Sequence, residues 1–120
     1  MNEKRLKEFW DKEYKKPELF EISDGVSSDL QKFTRWAKKE YGDDVFRPDI
    51  TVLDAGCGNG RNLLWMNDEF RVKGFGYDIS EEAINQAKAR ASTQKWGSKL
   101  TFITHSIGAT IPLPHESVDV

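Results

Sequence analysis

The chain has 120 residues, 18 of them Lys or Arg and 20 Asp or Glu, for a net charge of −2, with 38% hydrophobic and 12% aromatic content. That balance predicts a soluble globular chain and gives no bulk-charge sign of a nucleic-acid partner. No apolar run approaches the roughly 18 residues of a membrane span. Met1 leads into charged residues rather than a signal peptide, so a cytoplasmic protein without a membrane partner is expected.

In chain order, Asn2 to Lys16 places Leu6, Phe9, Trp10 and Tyr14 at helical spacing between charges, which predicts an amphipathic helix. Pro17 disfavours helix at Lys16, and Asp24-Gly25 signals a turn. A second helix is expected from about Ser28 to Tyr41, with Ser27 as N-cap, Gly42 at its stop, and Val26, Leu30, Phe33, Ala37 and Tyr41 as its buried stripe. Gly42 to Asp49 is polar and contains Pro48. It divides a helical lead, residues 1–45, from a core domain, residues 46–120.

The core opens with an apolar β-type run, Ile50 to Leu53, followed by Asp54 and then Ala55-Gly56-Cys57-Gly58-Asn59-Gly60. Leu63, Leu64, Met66 and Phe70 then mark the inward face of a helix, so the order is strand, glycine turn, helix. Glycines at alternate positions remove the Cβ atoms that would hold a ligand off the backbone and permit positive φ where the chain leaves the strand. A dinucleotide fingerprint would place its third glycine at position 61, which is Arg, and no P-loop Gly-Lys-Ser/Thr ending is present. Cys57 is the only cysteine, so neither an intrachain disulfide nor a cysteine-based metal cluster is available, and it reads as a small apolar residue in the turn.

Val72 to Tyr77 predicts a second strand, ending in Asp78-Ile79-Ser80. Asp78 lies 18 residues beyond Gly60, close to the offset of about 20 at which a carboxylate at a strand end accepts ribose hydroxyls. Ser80 caps the next helix, with Glu81 and Glu82 at its N-terminus, Ala83, Ile84, Ala87 and Ala91 inward, and Gly97 as its stop. Leu100 to Thr104 predicts a third strand, and Ser117 to Val120 the start of a fourth. His105 and His115 have no sequence-visible partner and read as solvated loop residues.

The run Asp54 to Gly60 resembles motif I of the class I S-adenosylmethionine (SAM) dependent methyltransferases, Asp/Glu-x-Gly-x-Gly-x-Gly. Two further stretches corroborate it: Asp78 after the second strand, and the passage from the third strand through Ile111-Pro-Leu-Pro to Ser117-Val-Asp. The resemblance implies a Rossmann-like doubly wound α/β sheet, mostly parallel, with strand order 3-2-1-4 and two helices in front. It implies SAM as cofactor, with Asp54, Ala55, Gly56, Cys57, Gly58, Asn59, Gly60, Asp78 and Ile79 at its site. Family members often carry an acidic residue at the end of the third strand for the adenine amino group. Here Ser106 stands in that place, with the Ile107 N–H available to a ring nitrogen. The resemblance also implies that the first helix is a lid, with Trp10 and Tyr14 over cofactor and substrate, the other reading being plain packing on the sheet. Arg35 is a candidate for the cofactor's carboxylate, against the reading of a surface arginine.

The activity expected is methyl transfer from SAM to an unidentified acceptor, a small molecule, with no catalytic residue named. The alternatives are a non-catalytic SAM-binding module, one half of a split enzyme, or a nicotinamide-dependent reductase. A fourth strand that only begins at Ser117 predicts an incomplete domain. Such a chain would be a poor catalyst, and its open strand edge would invite dimerisation or completion by a separate segment.

Overall fold

The computed structural model describes residues 2–16, 25–106, 108, 110, 111, 113 and 117–120. The sequence folds as an α/β unit in which helices α1 (Glu3–Tyr14) and α2 (Ser28–Tyr41) precede β1 (Thr51–Ala55), α3 (Arg61–Phe70), β2 (Lys73–Asp78), α4 (Glu81–Ser92) and β3 (Leu100–Thr104). The three strands are parallel in the order β1-β2-β3, with Thr51 opposite Lys73 and Gly74 opposite Leu100. On the free side of β1, the Leu53 N–H donates to the Val120 carbonyl at 2.7 Å and the Asp119 N–H to that of Thr51 at 2.8 Å. The last described residues therefore lie where the 3-2-1-4 order puts the fourth strand.

The caps explain where the helices begin. The Asn2 side chain accepts from the Arg5 N–H at 2.8 Å, and Ser27 Oγ accepts from the Leu30 N–H at 3.2 Å. Ser80 Oγ accepts from the Ala83 N–H at 3.1 Å. Each satisfies an amide that the first helical turn leaves unpaired. Helix α2 stops at Gly42, whose φ of 104° takes it out of the helical region.

Two expectations about the helices are corrected. The buried residues of α2 are Thr34 and Ala37, while Phe33 and Tyr41 are exposed. Thr34 tolerates burial because its hydroxyl donates to the Gln31 carbonyl at 2.9 Å. The rings of Phe33, Trp36 and Tyr41 instead pack against one another along the outer flank of the helix. Helix α4 ends at Ser92, well before Gly97, with the Ser92 and Thr93 hydroxyls donating to the Ala89 and Arg90 carbonyls. Gly97 begins a 3₁₀ turn, Gly97–Lys99, where the chain folds back against the Ala91 backbone and leaves no room for a side chain.

Between sheet and helices, Val52, Leu63, Leu64, Met66, Val72, Ile84, Ala87 and Phe102 form the core, joined by Phe46 from the segment before β1. Asn67 is fully buried in it and fully used. Its Nδ2 donates to the carbonyls of Val72 and Trp96, and its Oδ1 accepts from Gln94 Nε2 at 2.8 Å. These bonds fix α3 to the entry of β2, which sets the level at which β1 and β2 deliver their carboxyl ends.

Candidate functional site

The site is built where β1 and β2 end side by side. Past Ala55 the chain turns through Gly56, Gly58 and Gly60, all at positive φ (72°, 58° and 83°), conformations that side-chain-bearing residues reach only with strain. The Gly56 and Cys57 N–H groups both donate to the Tyr77 carbonyl, at 2.8 and 3.0 Å, which holds the turn to the tip of β2. Asp78 at that tip spreads its carboxylate across the turn. Its Oδ2 accepts from the Gly58 N–H and its Oδ1 from the Ser80 N–H, each at 2.9 Å. Asp78 is thus a cap in its own right, and a carboxylate with one donor on each oxygen still has lone pairs for two hydroxyls.

Helix α1 lies over this point. Leu6, Trp10 and Tyr14 enclose a cleft of about 220 Å³ together with Gly56, Asp78 and Ile79. The Tyr14 hydroxyl rests directly against Gly58, in the space a Cβ there would need. The glycine turn, Asp78, Ile79, Trp10 and Tyr14 are therefore brought together. Arg35 is not among them: it lines a separate cleft with Gln31, Thr34, Trp65 and Phe70. Ser106 lies beyond β3 and its hydroxyl accepts from the Gly108 N–H at 3.2 Å, while Ile107 lies outside the described residues. A wider cleft of about 590 Å³ runs along the outer edge of β3, lined by Lys88, Lys95, Gly97 and Thr101, but it contains no residue of the glycine turn.

The electrostatics of the turn are those of an anion held out of water. Burial, reinforced by the charge of Asp78 and offset by Arg61, pushes the Asp54 carboxyl up to about 6. Burial, with Asp54 and Asp78 adding to it, drives the Cys57 thiol far above its ordinary value. Cys57 is inert as a nucleophile in that state. Burial and then the Asp78 charge raise the Tyr14 phenol as well. Asn59 is almost wholly buried, and its Nδ2 has no hydrogen-bond partner. Among the described residues no group of three or more His, Cys, Asp or Glu could hold a metal ion.

Two further observations depart from the sequence reading. His105 lies in the loop after β3, partly exposed, but it has partners the sequence did not show: its Nε2 lies 2.8 Å from the Thr110 carbonyl, and its ring meets that of Tyr77 edge-on at 5.6 Å. His115 lies outside the described residues. Asp11, not singled out by the sequence, sits three positions before Tyr14 on α1 and reaches the first turn of α4. Its spacing from Lys7 and Tyr14 put it on the site-facing side of α1, a signal that was legible.

Residues 46–120 match the family model described as a methyltransferase domain. The chain is 37% identical over 67 residues to the mRNA cap guanine-N(7) methyltransferase of Schizosaccharomyces pombe, covering 51% of this chain and 18% of that protein. It is 29% identical over 76 residues to ajmaline N-methyltransferase of Rauvolfia serpentina, covering 63% of this chain and 25% of that one. The chain thus spans a quarter or less of the length of these curated relatives. Among solved structures, the YcgJ protein of Bacillus subtilis superposes with a TM-score of 0.58 at 24% identity, over 75% of this chain and 34% of that one. A SAM-dependent methyltransferase of Geobacter sulfurreducens, in complex with S-adenosyl-L-homocysteine, gives 0.54 at 24% identity over 75% and 36%. The parallel order of strands, the glycine turn at the end of β1 and a family match over more than half of the sequence lead to one conclusion: the chain belongs to the methyltransferase-domain family and has the class I methyltransferase fold.

Proposed function

We propose that the chain binds SAM at the glycine turn, between Asp78 and α1, and acts in methyl transfer from it to a small-molecule acceptor. The observation that carries this reading is the pairing of Gly58 and Asp78. A backbone stripped of side chains and a carboxylate with spare lone pairs face one cleft at the carboxyl ends of adjacent parallel strands, where open α/β sheets take their ligands. The residues fit the cofactor in two ways. Asp78 offers oxygens to the ribose hydroxyls, and Asp54 is an anion poorly compensated in the free chain, suited to a ligand that brings positive charge.

When bound, SAM would supply a methyl group activated on a sulfonium, for transfer to a lone pair of the acceptor with the S–CH₃ electron pair left on sulfur. The chain's own part is to bind, orient and exclude water. Alignment of this kind can be worth about 7–11 kcal/mol of the barrier. Trp10 and Leu6 would close the cleft from above. For partners beyond the acceptor, the reading includes a second copy of the chain or a complementing segment along the outer edge of residues 117–120, where Val120 remains half exposed. The proposal places the protein in the cytoplasm. Among the described residues no helix is long and apolar enough to cross a membrane.

Calorimetry with S-adenosyl-L-homocysteine tests the reading. The native chain should give heat of binding and Gly58→Val none, because valine at φ 58° is strained and fills the ligand's place. Equal binding by the variant would remove the glycine-turn argument.

A further inference from the structure

Helix α1 buries none of its residues, and Leu6, Phe9 and Trp10 all stay exposed by more than a third. Polar contacts therefore do much of the work of keeping it on the domain, and they converge on one place. Asp11 Oδ1 accepts from the Ser80 hydroxyl at 2.6 Å and from the Glu82 N–H at 3.1 Å. A carboxylate from α1 thus serves the first turn of α4, where unpaired amides and the helix dipole favour an anion. Burial works against its charge, yet the bonds from Ser80, Lys7 and Glu82 together hold the Asp11 carboxyl below its ordinary value. One turn further on, the Tyr14 carbonyl accepts from Gln86 Nε2 at 2.6 Å.

These contacts close a circuit with the ligand site. Asp11 holds Ser80, the Ser80 N–H donates to Asp78, Asp78 accepts from Gly58, and Gly58 is covered by the hydroxyl of Tyr14, which is again on α1. The space that the missing side chain of Gly58 opens is filled from within the chain. What remains of the cleft is about 220 Å³, below the roughly 300–1,000 Å³ of pockets that enclose small ligands and cofactors. A ligand lying against Gly58 and the Tyr14 hydroxyl cannot both be there.

We propose that α1 is an autoinhibitory strap, latched by Asp11 to Ser80 and Glu82, that has to lift Tyr14 off Gly58 before the cofactor can enter. The proposal rests on the SAM reading for the identity of the ligand, and on the geometry alone for the latch. Its consequence is that the closed chain binds with an affinity reduced by the fraction of time the strap is open. A helix with no fully buried residue, held by a few polar bonds and by apolar side chains that stay partly exposed, lies toward the low-stability end of a domain, so it can open without unfolding the core. Loosening the latch should then strengthen binding, the reverse of what removing a mere covering lid would do.

The test uses the full chain, with S-adenosyl-L-homocysteine as the probe, in wild type, Asp11→Ala and Tyr14→Phe. Asp11→Ala removes both latch bonds while keeping a good helix former, and Tyr14→Phe removes only the hydroxyl over Gly58. In the ligand-free chain, amide exchange across residues 3–14 and at Glu82 should be about tenfold faster in Asp11→Ala than in wild type. Both variants should bind the probe more tightly, Asp11→Ala by about tenfold. Unchanged exchange in Asp11→Ala, or weaker or equal binding by both variants, would overturn the strap. Failure of all three proteins to bind would overturn the cofactor reading of the cleft, and the exchange measurement alone would then decide the latch.

Discussion

Asp78 shows how one side chain can hold a fold and a site together. Because its two oxygens take up the Gly58 and Ser80 amides inside the structure, Asp78→Ala leaves two poorly solvated donors unpaired, at about 1–3 kcal/mol for each such group. Urea unfolding should therefore shift to lower concentration in Asp78→Ala at the same time as S-adenosyl-L-homocysteine binding weakens. An unchanged unfolding midpoint would show that water replaces both bonds. Asp54 makes a prediction of the opposite sign. Its folded carboxyl titrates near 6 against 3.8 for the free side chain, so the folded chain holds more protons than the unfolded one between those values. The charge therefore opposes folding fully above about pH 6, and the opposition fades as pH falls toward 4. Asp54→Asn is expected to raise stability at pH 7, by at most about 3 kcal/mol, and to change little at pH 4. Urea denaturation at both values checks it.

At the scale of elements, much was legible because local chemistry decides it. Ser27 and Gly42 bracket α2 where cap and stop residues put them, and Leu100–Thr104 forms β3 as its β-branched and aromatic content requires. The alanine stripe of α4 was equally plain: Ala83, Ala87 and Ala91 are buried, and Ala87 lies close to Gly60 of the turn. Ala87→Leu should consequently destabilise the chain by about 1–3 kcal/mol, the usual effect of overpacking, measurable as a lower urea midpoint. Contacts that join distant parts of the chain were not legible. The burial of Asn67 depends on carbonyls at Val72 and Trp96, and the Asn62 Oδ1 accepts the Ser27 N–H from 35 positions away. Periodicity also misplaced Tyr41, since a helical stripe says which residues align but not how far the neighbouring surface extends. Of the residues expected at the site, those on the turn and at the tip of β2 followed from strand ends and glycine spacing. Arg35 did not, because the placement of α2 relative to the sheet is a tertiary outcome.

For the whole molecule, topology does the positioning. Parallel strands joined by α3 and α4 bring Gly58 and Asp78 to one end of the sheet although 20 residues separate them, and α1 then crosses that end from the other side. This end of the sheet, and no other surface, is the proposed cofactor site. Amide NMR during titration with S-adenosyl-L-homocysteine decides it, since it reads every part of the chain at once. Shifts concentrated at Gly56, Gly58, Gly60, Ile79 and Ser80, with changes along α1, are the predicted result. Shifts confined to the cleft at the outer edge of β3, around Lys95, Gly97 and Thr101, would contradict the account.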